Sequence, residues 1–526
     1  MTTALRLLCR IGAVVALGGC VGAAAQSNRQ RSYDEPLRPQ FHFTPARNWM
    51  NDPNGLVYFD GEYHMFYQYN PQGDQWGHMS WGHAVSADLV QWQELPVAIP
   101  EDARYMIFSG SIVVDEGNTS GFGAPGTSPL VAVYTGAERE RGGRQNQQLA
   151  YSTDRGRTWV KYPGNPVLDL GLSNFRDPKV FWYAPARQWV MAAVLSSSHQ
   201  VALFGSADLK HWTHLSDFGP AGAVDGAWEC PDLFPLRIEG SDEVRWVLKV
   251  DVFESDTAVG SGAQYFVGRF DGVSFVADAE GGADAVDYGQ DFYAAASWSN
   301  LPDATGRHVW IGWMSNHRYA SRVPTAPWRG AMTLPRELSL RSEAGRLRLV
   351  QSPVRALESL RGRRMHIAGR LEGTVRRLGL PRGSANAAEL EVDFSDISAD
   401  VVGVRVHVGA GESTDIGYDR ARGELYVDRS ISGALPTADF ARRSGVPLRL
   451  HDGRLRIRVW VDRSSVEVFA DDGARVLTAL VFPSRRSDGV EVFARGGGAH
   501  LDSLDVWPLE SAVRDGSRGR GGDHVH

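Results

Sequence analysis

Residues Ser86-Ala-Asp-Leu-Val-Gln-Trp92, Ser152-Thr-Asp-Arg-Gly-Arg-Thr-Trp159 and Ser206-Ala-Asp-Leu-Lys-His-Trp212 share a Ser-x-Asp lead and a closing tryptophan. Taken plainly, each is a hairpin turn. The Ser and Asp side chains bond nearby backbone N–H groups, and the tryptophan packs against the turn. The turns recur about every 60 residues, somewhat longer than the roughly 40–50 residues of common propeller repeats.

Outward from these turns the chain reads as strand. Short apolar or alternating runs, such as Gly55–Phe59 and Tyr63–Tyr69, are separated by Gly, Asp, Asn and Pro. No helical period is sustained over three turns before about residue 350. The middle turn resembles the Asp-box of propeller blades, and roughly 310 residues at the observed period make five blades. The expected architecture is all-β: a five-bladed β-propeller catalytic domain over residues 38–350, followed by a C-terminal β-sandwich over 364–510. A linker at 351–363 includes a short helical stretch, Val354–Leu360. The sandwich is read from strands at Ala388–Phe394, Val402–Val408, Glu424–Val427, Leu455–Val459, Ser465–Phe469 and Val476–Val481. Residues 511–526 are polar and Gly-rich and are expected to be a disordered tail.

The 526 residues carry 43% hydrophobic and 22% charged side chains, the balance of a globular chain with sizeable cores. A formal charge of −7, with no basic run interleaved with aromatics, argues against nucleic acid as a partner. Arg6 and Arg10, an apolar run from Ile11 to Leu17, and Ala23-Ala24-Ala25 lay out a signal peptide over residues 1–25. The apolar run is too short for a transmembrane span. Leu17-Gly18-Gly19-Cys20 also fits a bacterial lipobox, so secretion into the periplasm or medium and lipid anchoring at Cys20 both remain open. Cys230 is the one thiol of the folded body, which excludes an internal disulfide.

Asn51-Asp52-Pro53-Asn54-Gly55 reads locally as a β-turn, with an aspartate that bonds its own backbone. A Trp-Met pair before it and aromatics after it are the surroundings of a sugar site. The steps from Asp52 to Ser109, Asp177, Glu229 and Asp287 are about one blade each, and inner strands of all blades line one channel. These side chains should therefore meet. Arg176-Asp177-Pro178 and Glu229-Cys230-Pro231 taken singly are ordinary turns; their order and spacing are informative.

With Tyr67-Gln68-Tyr69-Asn70-Pro71, Trp81-Gly82-His83, Phe108-Ser109-Gly110-Ser111, Trp310–Met314, Trp328–Glu337 and Asp462–Phe469, these motifs resemble glycoside hydrolase family 32, the β-fructofuranosidases. The resemblance covers about residues 38–510. It implies retaining hydrolysis of fructofuranosides, with Asp52 as nucleophile, Glu229 as acid/base and Asp177 as transition-state stabiliser. Retention needs the two reacting carboxyls about 5–5.5 Å apart. Glu229 is expected to have a raised pKa, and Arg176 to keep Asp177 ionised. Asn51, Gln68, Ser109 and Arg176 are the polar sugar contacts in the family pattern, and Trp49, Trp76, Phe108 and Trp313 the apolar walls. For any one of these tryptophans core packing is the plainer role; motif position favours the site for Trp76 and Trp313. Asp287 and Tyr293 are rim candidates from the fifth blade, and Cys230 lines the pocket beside Glu229.

No cofactor or metal is expected: His78 and His83 lack ligand-spaced partners, and His524 and His526 lie in the tail. The expected substrates are levan- or inulin-type fructans and sucrose, cut by exo-release of fructose. An invertase or fructosyltransferase using sucrose is one alternative. A non-catalytic fructan-binding propeller is another, disfavoured by the presence of all three carboxylates.

Overall fold

The computed structural model describes residues 33–140, 142–279, 282–302 and 306–513. The signal segment, Cys20 and most of the tail lie outside the described residues. Residues 511–513, placed in the loose tail by the sequence, are packed: the Ala512 N–H donates to Gln40 O at 2.9 Å. Among the described residues no helix is long and apolar enough to cross a membrane.

Five antiparallel sheets follow one another in sequence. Their innermost strands are Asn48–Phe59, Tyr105–Val114, Phe175–Tyr183, Ala227–Arg237 and Tyr293–Ser297. Each packs beside the next, and the fifth returns to the first, closing a five-bladed propeller. Trp328–Arg329, just before the third strand of blade five, pairs in parallel with Asn48-Trp49 and fastens the ring.

The three Ser-x-Asp turns join the third and fourth strands of blades one, two and three. In the first and third, the aspartate accepts two backbone N–H groups, Val90 and Gln91 on Asp88, Lys210 and His211 on Asp208. The middle turn uses Thr158 N–H on Asp154 and Gly156 N–H on the Ser152 hydroxyl. Each turn passes through the left-handed region three residues after its serine, at Leu89, Arg155 and Leu209. The repeat is thus a turn motif, and it marks the blade register.

A 3-10 turn, Arg355–Leu360, leads to two six-stranded sheets that pack face to face. All six strands expected from the sequence are present. Met365–Glu372, Ser413–Asp419, Arg443–Pro447, Gly489–Arg495 and Gly498–Pro508 complete the layers, with short Val375–Arg377. The sandwich binds the propeller through buried charges. His42 lies between Asp462 (2.8 Å) and Glu467 (2.9 Å), and Arg336 bonds Glu467, Asp287 and Thr478. Gly289 fits here for want of a side chain, since a Cβ would come within 2.0 Å of Thr478 O.

Asp287 is therefore not a rim residue. Its carboxylate is committed to Arg336 and to the backbone and hydroxyl of Thr478 in the sandwich. The fifth channel position belongs to Tyr293, which opens the inner strand of blade five.

Candidate active site

Asn51 to Gly55 forms no β-turn. Asn48–Phe59 is one strand whose pairing register slips between Met50 and Pro53 and again between Asn54 and Val57. Similar slips occur at Ile107/Gly110 and Glu229/Asp232 in blades two and four, at Tyr293/Ala296 in blade five, and opposite Asp177-Pro178 in blade three. Every inner strand thus carries a β-bulge beside a site residue. A bulge leaves one residue unpaired and re-aims its side chain. Proline, with no N–H to place in a ladder, is tolerated there, which accounts for Pro53, Pro178 and Pro231. Asp177 and Cys230 sit in the left-handed region at φ 63° and 48°, strained conformations of a kind that concentrates at functional sites.

The bulges bring Asp52, Ser109, Asp177, Glu229 and Tyr293 to one end of the channel. Asp52 is held on both oxygens: Asn51 Nδ2 donates to Oδ1 at 2.8 Å, and Ser109 Oγ to Oδ2 at 2.6 Å. Trp49 Nε1 donates to Asn51 Oδ1 at 2.7 Å, so the buried tryptophan orients the amide that orients the aspartate. Asn54 bridges Asp52 O and Gly110 N–H, fixing the backbone between blades one and two. Asp177 Oδ2 accepts the Cys230 N–H at 2.9 Å, and Cys230 Sγ lies 3.6 Å from Asp52 and 3.7 Å from Asp177.

Arg176 departs from expectation. Its Nε and Nη2 donate to Glu229 Oε1 at 3.1 and 2.9 Å, whereas Asp177 stands 3.8 Å away. Ser196 and Gln145 take the remaining guanidinium bonds. Tyr293 OH donates to Glu229 Oε2 at 2.5 Å. Burial would raise Glu229, but Arg176, then His317 and Tyr293, hold it below the ordinary glutamate value. Burial pushes Asp177 up to about 7, against the pull of Arg176 and with the repulsion of Glu229 and Asp52. The free site therefore carries its proton on Asp177 rather than on Glu229, the reverse of what the sequence suggested. One guanidinium cannot neutralise both carboxylates, and its geometry selects Glu229.

Gln68 and Trp313 are buried at the site, and Gln68 Nε2 and Trp313 Nε1 have no protein partner among the described residues. Trp49 packs on Trp313, with ring centroids 6.1 Å apart. Trp76 is half exposed and meets Phe108 edge to face at 5.9 Å, an apolar wall on the blade one and two side. His83 belongs to the core instead, stacked on Phe66 and bonded to His64 at 3.1 Å. His78 pairs with Glu101.

Two features escaped the sequence. Lys249 Nζ, fully buried, bonds Asp251, Cys230 O and Ala295 O, and so braces the Glu229-Cys230 bulge. Asp251 faces Glu229 across the strand pair, and burial pushes it up to about 8. The signal was available in Trp246-Val-Leu-Lys-Val-Asp-Val-Phe253: two charges at period two inside an apolar strand. The other is His317, four residues beyond Trp313, packed among Phe253, Tyr293 and Trp313.

Residues 42–353 match the profile of the glycosyl hydrolases family 32 N-terminal domain, and residues 356–508 that of the family 32 C-terminal domain. The chain belongs to glycosyl hydrolase family 32. It is 48% identical over 488 residues to a levanase of Bacillus subtilis, covering 91% of this chain and 71% of that one. It is 39% identical over 518 residues to an extracellular exo-inulinase of Aspergillus ficuum, covering 91% and 96%. The crystal structure of the Aspergillus awamori exo-inulinase superposes with a TM-score of 0.86 at 38% identity, over 91% of this chain and 99% of that one. Family 32 membership makes the five-bladed propeller the hydrolase unit, in agreement with the bulged carboxylates at its channel mouth.

Proposed function

We propose that this enzyme is an exo-acting, retaining β-fructofuranosidase that releases fructose from levan- or inulin-type fructans and from sucrose. The carrying observation is a gradient of burial. The Asp177 side chain is 7% exposed and that of Glu229 19%. Deeper in the channel, Lys179 Nζ reaches Asp232 and both oxygens of Ser297, joining blades three, four and five below the carboxylates. A sugar ring seated against Asp52 and Asp177 has that plug behind it, so its glycosidic oxygen points outward, toward Glu229. Such a pocket takes a chain end. The family match and the levanase and exo-inulinase relatives support the substrate class.

In this reading Asp52 attacks the anomeric carbon, its lone pairs aimed by Asn51 and Ser109. Glu229 gives its proton to the leaving oxygen and then takes one from water. Asp177 binds ring hydroxyls, and those bonds tighten as positive charge develops. The same binding reassigns the proton. Hydroxyls donating to Asp177 favour its ionised form, and the proton of the coupled pair passes to Glu229. The substrate thereby charges its own acid. Sugar hydroxyls also meet the unpaired Gln68 Nε2 and Trp313 Nε1, while Trp76 and Phe108 flank the entrance.

Secretion fits the signal-like residues 1–25 and the extracellular relative, and a lipidated Cys20 would be seen directly in the mass of the mature N-terminus. The decisive experiment digests levan, inulin and sucrose in parallel and follows products with time. Free fructose should appear from the first points, initially as the β-anomer. Early fructo-oligosaccharides would overturn exo action, and an initial α-anomer would overturn retention.

A further inference from the structure

We infer that His317 is a substrate contact on the leaving-group side of the site, its Nε2 bonding a hydroxyl of the saccharide that departs. The inference rests on the fructosidase reading above. His317 Nε2 is shut off from solvent and has no hydrogen-bond partner among the described residues. The ring is locked on three sides. Phe253 and Tyr293 stand edge to face at 4.8 and 4.9 Å, and Trp313 is tilted against it at 4.9 Å. Its backbone N–H is tied to Ser261 Oγ, and the neighbouring Asn316 amide to the carbonyls of Val259, Ser261 and Gln290. The imidazole is thus pre-oriented, and its free nitrogen cannot turn to water.

An enclosed polar atom without a partner is destabilising unless something else completes it. The same list of unpaired atoms contains Gln68 Nε2 and Trp313 Nε1, which face the same site, so a polyhydroxylated ligand explains all three. Position decides which part of that ligand His317 meets. It packs on Tyr293, whose hydroxyl holds Glu229 Oε2. Glu229 must reach the glycosidic oxygen, so a group on its Tyr293 flank faces that oxygen and the sugar beyond it. Neutral imidazole can donate or accept, and a sugar hydroxyl can answer either way. Glu229, Asp52 and Glu254 are the charged groups within electrostatic reach.

The test compares leaving groups with and without hydroxyls. The full chain is assayed on sucrose, on a fructosyl-fructose trisaccharide and on p-nitrophenyl β-D-fructofuranoside. His317→Phe should lower kcat/KM on the two saccharides about tenfold, mainly through KM, and change the aryl substrate less than about twofold. His317→Gln should recover part of the loss on saccharides only. An equal fall on all three substrates, or none on the saccharides, would overturn the assignment. If His317→Phe loses its native circular dichroism, the same ratio measured on His317→Ala decides. A wild-type enzyme that cleaves none of the three contradicts the fructosidase reading itself. An active wild type with an unchanged ratio in the variants contradicts only the role of His317.

Discussion

Arg176 donates two hydrogen bonds, at 2.9 and 3.1 Å, to a single oxygen of Glu229, and leaves Asp177, its neighbour in sequence, 3.8 Å away. The proton of the pair is consequently held at Asp177 with a pKa of about 7. The active free enzyme needs that proton, so kcat/KM should fall as pH rises, with an alkaline limb near 7. Asp177→Asn removes a negative neighbour that makes Glu229 harder to ionise. Residual activity on an aryl fructoside should then show the limb displaced to lower pH. A limb that stays in place would mean that the two carboxyls do not share the proton.

Tyr293→Phe acts in the opposite direction. The phenol donates to ionised Glu229 at 2.5 Å and is one of the groups holding it down. Without it Glu229 is more basic, and the alkaline limb should move to higher pH while kcat drops several-fold. The measurement is again the pH dependence of kcat/KM.

Ser109 crosses from blade two to the nucleophile of blade one at 2.6 Å. A hydrogen bond to a charged group contributes about 1.5–3 kcal/mol, so Ser109→Ala should lower kcat roughly 10- to 100-fold. Steady-state kinetics on sucrose check this, with the melting temperature expected to change little.

How much of this was legible in the sequence follows from what each feature depends on. The Ser-x-Asp turns are local, so Asp88, Asp154 and Asp208 revealed the blade period directly. Asp52, Ser109, Asp177 and Glu229 followed from that period, because equivalent positions of a propeller converge. Asp287 broke the pattern: a sandwich residue, Thr478, together with Arg336 claims its carboxylate. No spacing rule reports a contact made across 191 residues. Asn51 to Gly55 misled for a related reason. Asp-Pro-Asn-Gly has turn chemistry, yet the same left-handed glycine and missing proline N–H also serve a bulge within a strand. The direction in which Arg176 reaches is a matter of three dimensions, and with it went the expected proton on Glu229.

The domain junction offers the last test. His42 of the propeller bonds Asp462 and Glu467 of the sandwich through its two ring nitrogens, all three fully enclosed. Burial opposes its charge, but the two carboxylates win and raise it to about 9. Because its folded value exceeds the unfolded value of about 6.5, its contribution is complete below that pH and is lost as pH rises through about 9. The difference corresponds to something on the order of 3 kcal/mol. Glu467, held down chiefly by Arg336 and His42 against its burial, contributes above the ordinary glutamate value and loses that contribution in acid. The junction should be firmest between these two limits, with the melting temperature falling from pH 6.5 to 9. His42→Gln should melt lower at pH 6.5, since removing one member of a buried ionic set leaves its partners uncompensated. It should also flatten the alkaline fall. Scanning calorimetry of both proteins at pH 6 and 9 measures the two slopes, and a variant as steep as the wild type would show that His42 stays neutral in its cage.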